Sequence, residues 1–263
     1  MSAVADHRFG PALRRWRSLR RVSQLELALR AGTTQRHLSF VERGRSVPGR
    51  GMVVRLAESL QLPLRERNAL LLSAGYAPAY AETALDADAL RAVREALDVV
   101  LRGHGPYPAM IVNRGGELVA GNPACDVFFE DVAPELLEPP VNTRRVALHP
   151  AGMAPRVVNF DQWARHIIES LRRECARNPD PVLEAQLAEL EGYVPRVPTG
   201  PDHLGFAMPL RLRTRGGELR LITTLMTFAT TTEVALAELR LEAFLPVDQE
   251  TTDVLHQLAR SRR

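Results

Sequence analysis

The stretch that most restricts this chain runs from Val22 to Pro48, V-S-Q-L-E-L-A-L-R-A-G-T-T-Q-R-H-L-S-F-V-E-R-G-R-S-V-P. It reads as two short helices joined by a tight turn. Ser23 is placed to cap the first helix through a backbone N–H two or three residues on, and Glu26 completes the capping-box spacing. Gly32 ends that helix. Thr34 opens the next, whose inner face carries Leu38 and Val41 while Gln35, Arg36, Ser39 and Phe40 face outward. Gly44 stops it, and Arg45 and Pro48 lead away in a loop. Two helices, a glycine turn and a polar first turn on the second helix make a helix-turn-helix, whose second helix lies in the DNA major groove.

At these residues the chain resembles the repressor-type, or Xre-like, helix-turn-helix family. The resemblance implies a phosphate contact for Gln24, at the start of that family's second helix. It also places Thr34, Gln35, Arg36 and His37 on the first turn of the recognition helix and Glu42-Arg43-Gly44 at its end.

The side-chain types suggest a division of labour. Phosphate contacts orient a protein on the duplex, and Gln24, Arg43, Arg45 and Arg50 lie on helix starts or in the loop past the recognition helix. The unsatisfied N–H groups of the capped helix start favour anions too. Base edges call for bidentate groups: Arg36 matches guanine and Gln35 matches adenine. Ser39 reaches a base or a phosphate, Phe40 suits a thymine methyl, and His37 suits a phosphate contact or packing. One such unit covers little DNA, so a homodimer on a pseudo-palindromic double-stranded operator is expected.

Charge supports this division. Residues 1–80 hold fourteen arginines against five carboxylates, a balance of +9, and residues 81–263 hold twenty against twenty-six, a balance of −6. One part wants a polyanion and the other does not. The basic part has a helical pattern on either side of the motif. Leu13, Trp16 and Leu19 recur from Phe9 to Arg20, with Trp16 and Leu19 expected in the core; Met52–Leu60 and Leu64–Ala74 follow, the latter closed by Gly75. Five helices in the first 80 residues make an all-α domain.

The segment Gly75–Tyr80 is a proline-punctuated connection, and Asp86–Leu101 a further helix that is either a linker or the start of the second domain. Beyond Gly103 the pattern shifts. Pro108–Asn113 and Glu117–Ala120 flank a glycine turn as a hairpin, and a short helix carries Val127, Phe128 and Phe129. Helices follow over Asp161–Arg177 and Val182–Leu190. His203–Arg213, Leu219–Phe228 and Ala237–Val247 make a three-stranded meander before a closing helix over Glu250–Arg260. In the last strand Leu239, Leu241, Ala243 and Leu245 alternate with Arg240, Glu242 and Phe244, the pattern of a sheet with one covered face. The expected fold class is α plus α+β: a five-helix domain over 1–80, and over 81–263 a PAS-like domain with a five-stranded antiparallel sheet and helices.

Three stretches carry a closer resemblance: R-H-L-S-F-V-E-R-G-R-S from Arg36, P-L-R-E-R-N-A-L-L-L-S-A-G-Y-A-P-A-Y from Pro63, and L-A-E-L-R-L-E-A-F-L-P-V-D-Q-E-T from Leu236. Together they resemble the MmyB-like regulators of actinomycete type over nearly the whole chain. The resemblance implies an Xre-type DNA-binding domain, a PAS-like ligand-binding domain and a hydrophobic, fatty-acid-like effector. Phe244-Leu245 departs from the two aromatic residues more usual there, which bears on the size of the pocket.

The second domain reads as an effector sensor, a dimerisation module or an enzyme. For a sensor, Phe128, Phe129, Trp163, Ile167, Met208, Leu225, Met226 and Phe228 are candidate cavity walls, with plain core as the alternative. Arg144 or Arg145 beside Asn142 suits a ligand carboxylate at the cavity mouth. For an enzyme, His104, His149, His166, His203 and His256 are scattered without a paired nucleophile, so no catalytic site is expected. A haem or flavin sensor would use His166 on the long helix. No obligatory cofactor or metal site is expected. Cys125 and Cys175 lack metal-ligand spacing and read as buried thiols. The chain has no run of eighteen apolar residues and its N-terminus no apolar signal core, so a cytoplasmic protein without a membrane partner is expected.

Overall fold

The computed structural model describes residues 9–194, 208–228 and 231–261. The chain divides into two compact units, Met1–Ala84 with Ala229–Ala237, and Leu85–Phe228 with Glu238–Arg263.

The first unit contains α1 (Phe9–Leu19), α2 (Gln24–Arg30), α3 (Gln35–Glu42), α4 (Arg50–Ser59) and α5 (Leu64–Ser73). Both caps of the central motif form. Ser23 Oγ accepts from the Glu26 N–H at 3.1 Å and Thr34 Oγ1 from the His37 N–H at 3.1 Å. The Glu26 carboxylate pairs forward with Arg30 instead of returning to the Ser23 N–H, so the box is half formed. Gly32 and Gly44 leave their helices at φ 65° and 71°, the left-handed exit that a side chain resists.

Leu13, Leu27, Leu38, Val41, Leu56 and Leu70 form the buried centre of this unit. Leu19 was expected beside Trp16 but is 37% exposed. Each three-residue step lags the helical turn by about 60°, so two steps from Leu13 carry Leu19 off the buried stripe. Asn68 ties down the end of the connection past Gly75. Asn68 Nδ2 donates to the Tyr80 carbonyl at 2.8 Å, and its Oδ1 accepts from the N–H groups of Ala79 and Tyr80 at 3.0 and 3.1 Å. The unit is completed from far along the chain. Val234, fully buried at the start of α11 (Val234–Ala237), donates its N–H to the Ala81 carbonyl at 2.8 Å. Glu233 accepts from the N–H and hydroxyl of Thr83 at 2.7 and 3.1 Å.

The second unit opens with a 3₁₀ turn, Asp88–Leu90, and α6 (Arg91–Gly103), so its first helix starts later than Asp86. The hairpin of β1 (Ala109–Val112) and β2 (Leu118–Gly121) turns at Gly116, φ 78°. Four helices follow: α7 (Asp126–Phe129), α8 (Thr143–Leu148), α9 (Phe160–Arg177) and α10 (Pro181–Glu191). Then come β3 (Leu210–Thr214), β4 (Gly217–Thr227), β5 (Arg240–Pro246) and α12 (Gln249–Ser261). The five strands form one antiparallel sheet in the order β2-β1-β5-β4-β3. The part of the expected meander from His203 to Ala207 lies outside the described residues.

β5 is the central strand, and this overturns the expectation of one covered face. Leu241 and Ala243 are buried on one side and Phe244 on the other, whereas Leu245, assigned to the covered face, is 38% exposed near the strand end. Neighbouring strands occupy a strand's edges, whereas its faces are buried by what packs on the sheet, so alternation distinguishes the faces but does not say which of them is dry.

Gly10 provides a test of the first unit. A Cβ there would stand 2.6 Å from the Glu42 carbonyl oxygen and 2.8 Å from that of Val41, both backbone atoms at the end of α3. Gly10→Ala is expected to destabilise the unit by about 1–3 kcal/mol, since neither carbonyl can step aside without moving α3. Urea unfolding followed by circular dichroism checks this, and an unchanged midpoint would show that α1 does not rest against that helix end.

Candidate nucleic-acid interface and ligand cavity

The outward side of α3 gathers the residues suited to DNA. Thr34, Gln35 and Arg36 are exposed at its start, His37, Ser39 and Phe40 are half-buried, and Arg43, Arg45 and Arg50 are exposed beyond it. Arg50 is the first residue of α4, behind the Gly49 cap. Phe40 has a more specific place than its type suggested. The guanidinium carbons of Arg36 and Arg43 lie 5.6 and 5.5 Å from its ring centroid, and Arg43 Nε donates to the Ser39 carbonyl at 3.0 Å. The ring is a shelf that holds two cations on the outer side of α3.

Gln24 is partly committed within the unit. Its Nε2 donates to Glu42 Oε2 at 2.7 Å, and Arg17 clasps the same carboxylate through Nε at 2.6 Å and Nη2 at 3.1 Å. This hydrogen bond raises the Arg17 guanidinium above its ordinary value. Glu42 is 7% exposed and ties α1, α2 and α3 together. Sequence reading placed Glu42 at the end of the motif without a role. Only folding brings Arg17 and Gln24 to it, from 25 and 18 positions away.

In the second unit a cavity of about 190 Å³ lies between the sheet and the helices. α9 supplies Trp163, His166, Ile167, Ser170, Leu171 and Glu174, one stripe at helical spacing. β5 supplies Arg240, Glu242 and Phe244, one face of an alternating strand. Met110 of β1, Thr223 and Leu225 of β4, and Phe128 and Phe129 of α7 extend the wall. One part is apolar, with the Phe128 and Phe244 rings 4.6 Å apart. The other is charged. Arg240 grips Glu174 with both terminal nitrogens, Nη1 at 2.9 Å, while Arg144 donates to Gln186 at 2.9 Å and to Glu174 at 3.4 Å. Burial pushes the Arg144 guanidinium down and Glu174 opposes it, whereas the bond to Glu174 raises Arg240.

Of the sequence-predicted cavity residues, Phe128, Phe129, Arg144, Trp163, Ile167 and Leu225 line this space; Met208, Met226 and Phe228 do not. Leu225 and Met226 are neighbours on a strand and point to opposite faces, so only one of them can face the cavity. Met226 pairs with Leu241 on the far side and is 43% exposed. Met208 packs on the core, and Phe228 lies past the end of β4. Arg145 faces elsewhere and pairs with Glu189 at 2.6 Å. His166 lines the cavity. No group of three metal-ligating side chains is found among the described residues. Cys125 and Cys175 are buried; Cys125 Sγ donates to the Ala109 carbonyl at 3.1 Å, and burial raises the Cys175 thiol. Glu242, Arg240 and Glu174 were passed over because nothing in a linear pattern marks a charged side chain as inward.

Comparison with known proteins yields two family matches. Residues 93–258 match the MmyB-like transcription regulator ligand binding domain, and residues 13–67 match the helix-turn-helix family. A curated relative from Sinorhizobium fredii, named Uncharacterized HTH-type transcriptional regulator y4dL, is 44% identical over 52 residues. That alignment covers 20% of this chain and 26% of the relative, so the chain spans about a quarter of that protein's length. Among the described residues no helix is long and apolar enough to cross a membrane.

The Glu42 clasp generates a prediction. Glu42→Ala leaves the Arg17 guanidinium, whose side chain is 15% exposed, without its counter-charge. Removing one partner of a buried pair costs about 3 kcal/mol. A fall of that size in chemical denaturation, and a smaller one for Arg17→Met with Glu42→Leu together, are expected; equal losses would show that the pair has no role beyond packing.

Proposed function

Since the chain belongs to the MmyB-like transcription regulators, we propose that it is a sequence-specific DNA-binding regulator controlled by a hydrophobic, fatty-acid-like molecule in its PAS-like second unit. The observation that carries the reading is the pairing of a helix, α3, that presents Arg36 and is followed by exposed Arg43, Arg45 and Arg50, with a separate unit that encloses a mostly apolar cavity with a charged end. In the first unit, Arg36 and Gln35 at the start of α3 read base edges, and Arg43, Arg45, Arg50 and Gln24 with the capped helix start hold phosphates. The protein acts as a homodimer on a pseudo-palindromic operator. Leu97 and Leu101 of α6 are buried while Val99 and Val100 are exposed, which makes that helix a candidate for pairing.

Control follows from linkage. An apolar ligand alters operator affinity only to the extent that it binds one arrangement of the protein better than another. Strands β4 and β5, which line the cavity, are joined by the segment that includes Glu233 and Val234, whose bonds are made within the first unit. This covalent continuity supports a route from cavity to operator.

Two measurements test the reading. Arg36→Ala is expected to cost about 1–3 kcal/mol on the matched operator and to relax preference at one base pair. Arg45→Ala should weaken every duplex alike and lower the salt slope by about one unit. Identical behaviour of the two variants on matched and scrambled duplexes would sink the division of roles. Separately, saturating the cavity with medium-chain amphiphiles should shift operator affinity in gel-retardation titrations. An amphiphile that binds without any shift reduces the second unit to a dimerisation module.

A further inference from the structure

The charged end of the cavity contains one carboxylate without a described hydrogen bond or ion pair to the rest of the wall. Arg144, Glu174, Arg240 and Glu242 are the arginines and carboxylates on the lining. The first three bond to one another or to Gln186. None of the described hydrogen bonds or ion pairs reaches the Glu242 carboxylate. It sits on the central strand, opposite Met110 of β1 and Leu225 of β4, both of which line the same cavity. Those two cross-strand neighbours are apolar, and the charged neighbour on its own strand is Arg240, two residues back on the same face.

Charge counting narrows what this end will hold. Two guanidinium groups, Arg144 and Arg240, face one bonded carboxylate, Glu174, which leaves a single positive charge to be matched. Glu242 ionised matches it. A ligand carboxylate would match it equally, but two such anions together would leave a desolvated negative charge with no counter-ion. Desolvation lifts the Glu242 carboxyl above the usual carboxylate range, and Arg144 and Arg240 oppose that rise. His166, on α9, is the other titratable side chain on the lining; Met110 of β1 and Thr223 and Leu225 of β4 bring no charge.

We infer that Glu242 is the residue against which the ligand's polar head is read, and that this end of the cavity holds one negative charge shared between them. A hydroxyl head sits beside ionised Glu242 and donates to it. A carboxylate head requires Glu242 to carry a proton, taken from solvent. A doubly ionised head, such as a phosphate monoester, is refused. Glu242 is thus a specificity residue for amphiphiles with an uncharged or singly ionised head. This inference rests on the reading of the cavity as an effector site.

Isothermal titration of the full chain with decanol and with decanoate, from about pH 6 to pH 9, tests it, decanoate being ionised throughout. Decanoate affinity is expected to fall as pH rises, by roughly tenfold per unit once Glu242 ionises, while decanol affinity stays level. In Glu242→Gln, which keeps the shape and the hydrogen-bonding capacity, decanoate affinity should be level too and at least about tenfold above wild type at the alkaline end. Should that variant misfold, the same pair of profiles in His166→Asn, which keeps Glu242 and removes the imidazole, decides: a decanoate profile that stays steep there supports Glu242, and one that flattens overturns the inference. Parallel profiles for decanoate and decanol, or a decanoate profile that Glu242→Gln does not flatten, would overturn the inference while leaving the effector site standing. If neither compound binds at any pH, the effector reading fails together with it.

Discussion

The Glu42 carboxylate is the joint of the first unit. It is almost wholly withdrawn from water, and three hydrogen bonds from Arg17 and Gln24 replace its hydration. A desolvated anion held by two helices that precede it cannot shift without leaving a charge stranded, so the end of α3 is fixed against α1 and the start of α2. Gly10 has the same consequence by a steric route, because it lets α1 approach the last carbonyls of α3. The outer side of that helix inherits the rigidity. Arg36 and Arg43 rest on Phe40, and a guanidinium that starts from a defined place loses less freedom on meeting DNA.

The second unit solves a different problem, which is to keep a space open inside a packed fold. A stripe of α9 and one face of β5 stand across from each other, and their polar members meet as the Arg240–Glu174 pair. That pair ties α9 to the central strand at the charged end of the cavity. Phe128 and Phe244 close the apolar part with their rings in contact. Departure from a second aromatic residue after Phe244 has little bearing on this space, since Leu245 points to the other face of β5 and is partly exposed.

Legibility differed sharply between the two units. In the first, the cues are local: Ser23, Thr34, Gly32 and Gly44 act within a few residues of themselves, and each took the position its chemistry demands. Leu19 was misplaced because a three-residue rhythm only approximates a helical turn. In the second, the hairpin, the long helix and the meander were legible from turns and periodicity, and so was the five-stranded sheet. The cavity wall was legible in part. Aromatic and aliphatic candidates on α7 and α9 were found because a helix stripe repeats, whereas adjacent Leu225 and Met226 could not both be right.

Caps, turns, the change from helical to alternating rhythm and the imbalance of arginine toward the first eighty residues were enough to establish a helix-turn-helix and a mixed second domain, because each depends on neighbours in the chain. Distant partnerships were not accessible in that way. That Glu42 is clasped from α1 and α2, that Glu233 and Val234 return to the first unit beside Ala81 and Thr83, and that Glu242 lies on a central strand within a cavity all depend on which segments meet in space. Charge is ambiguous in a linear pattern, since the same glutamate is a solvated surface group or part of a cavity wall according to what folds over it.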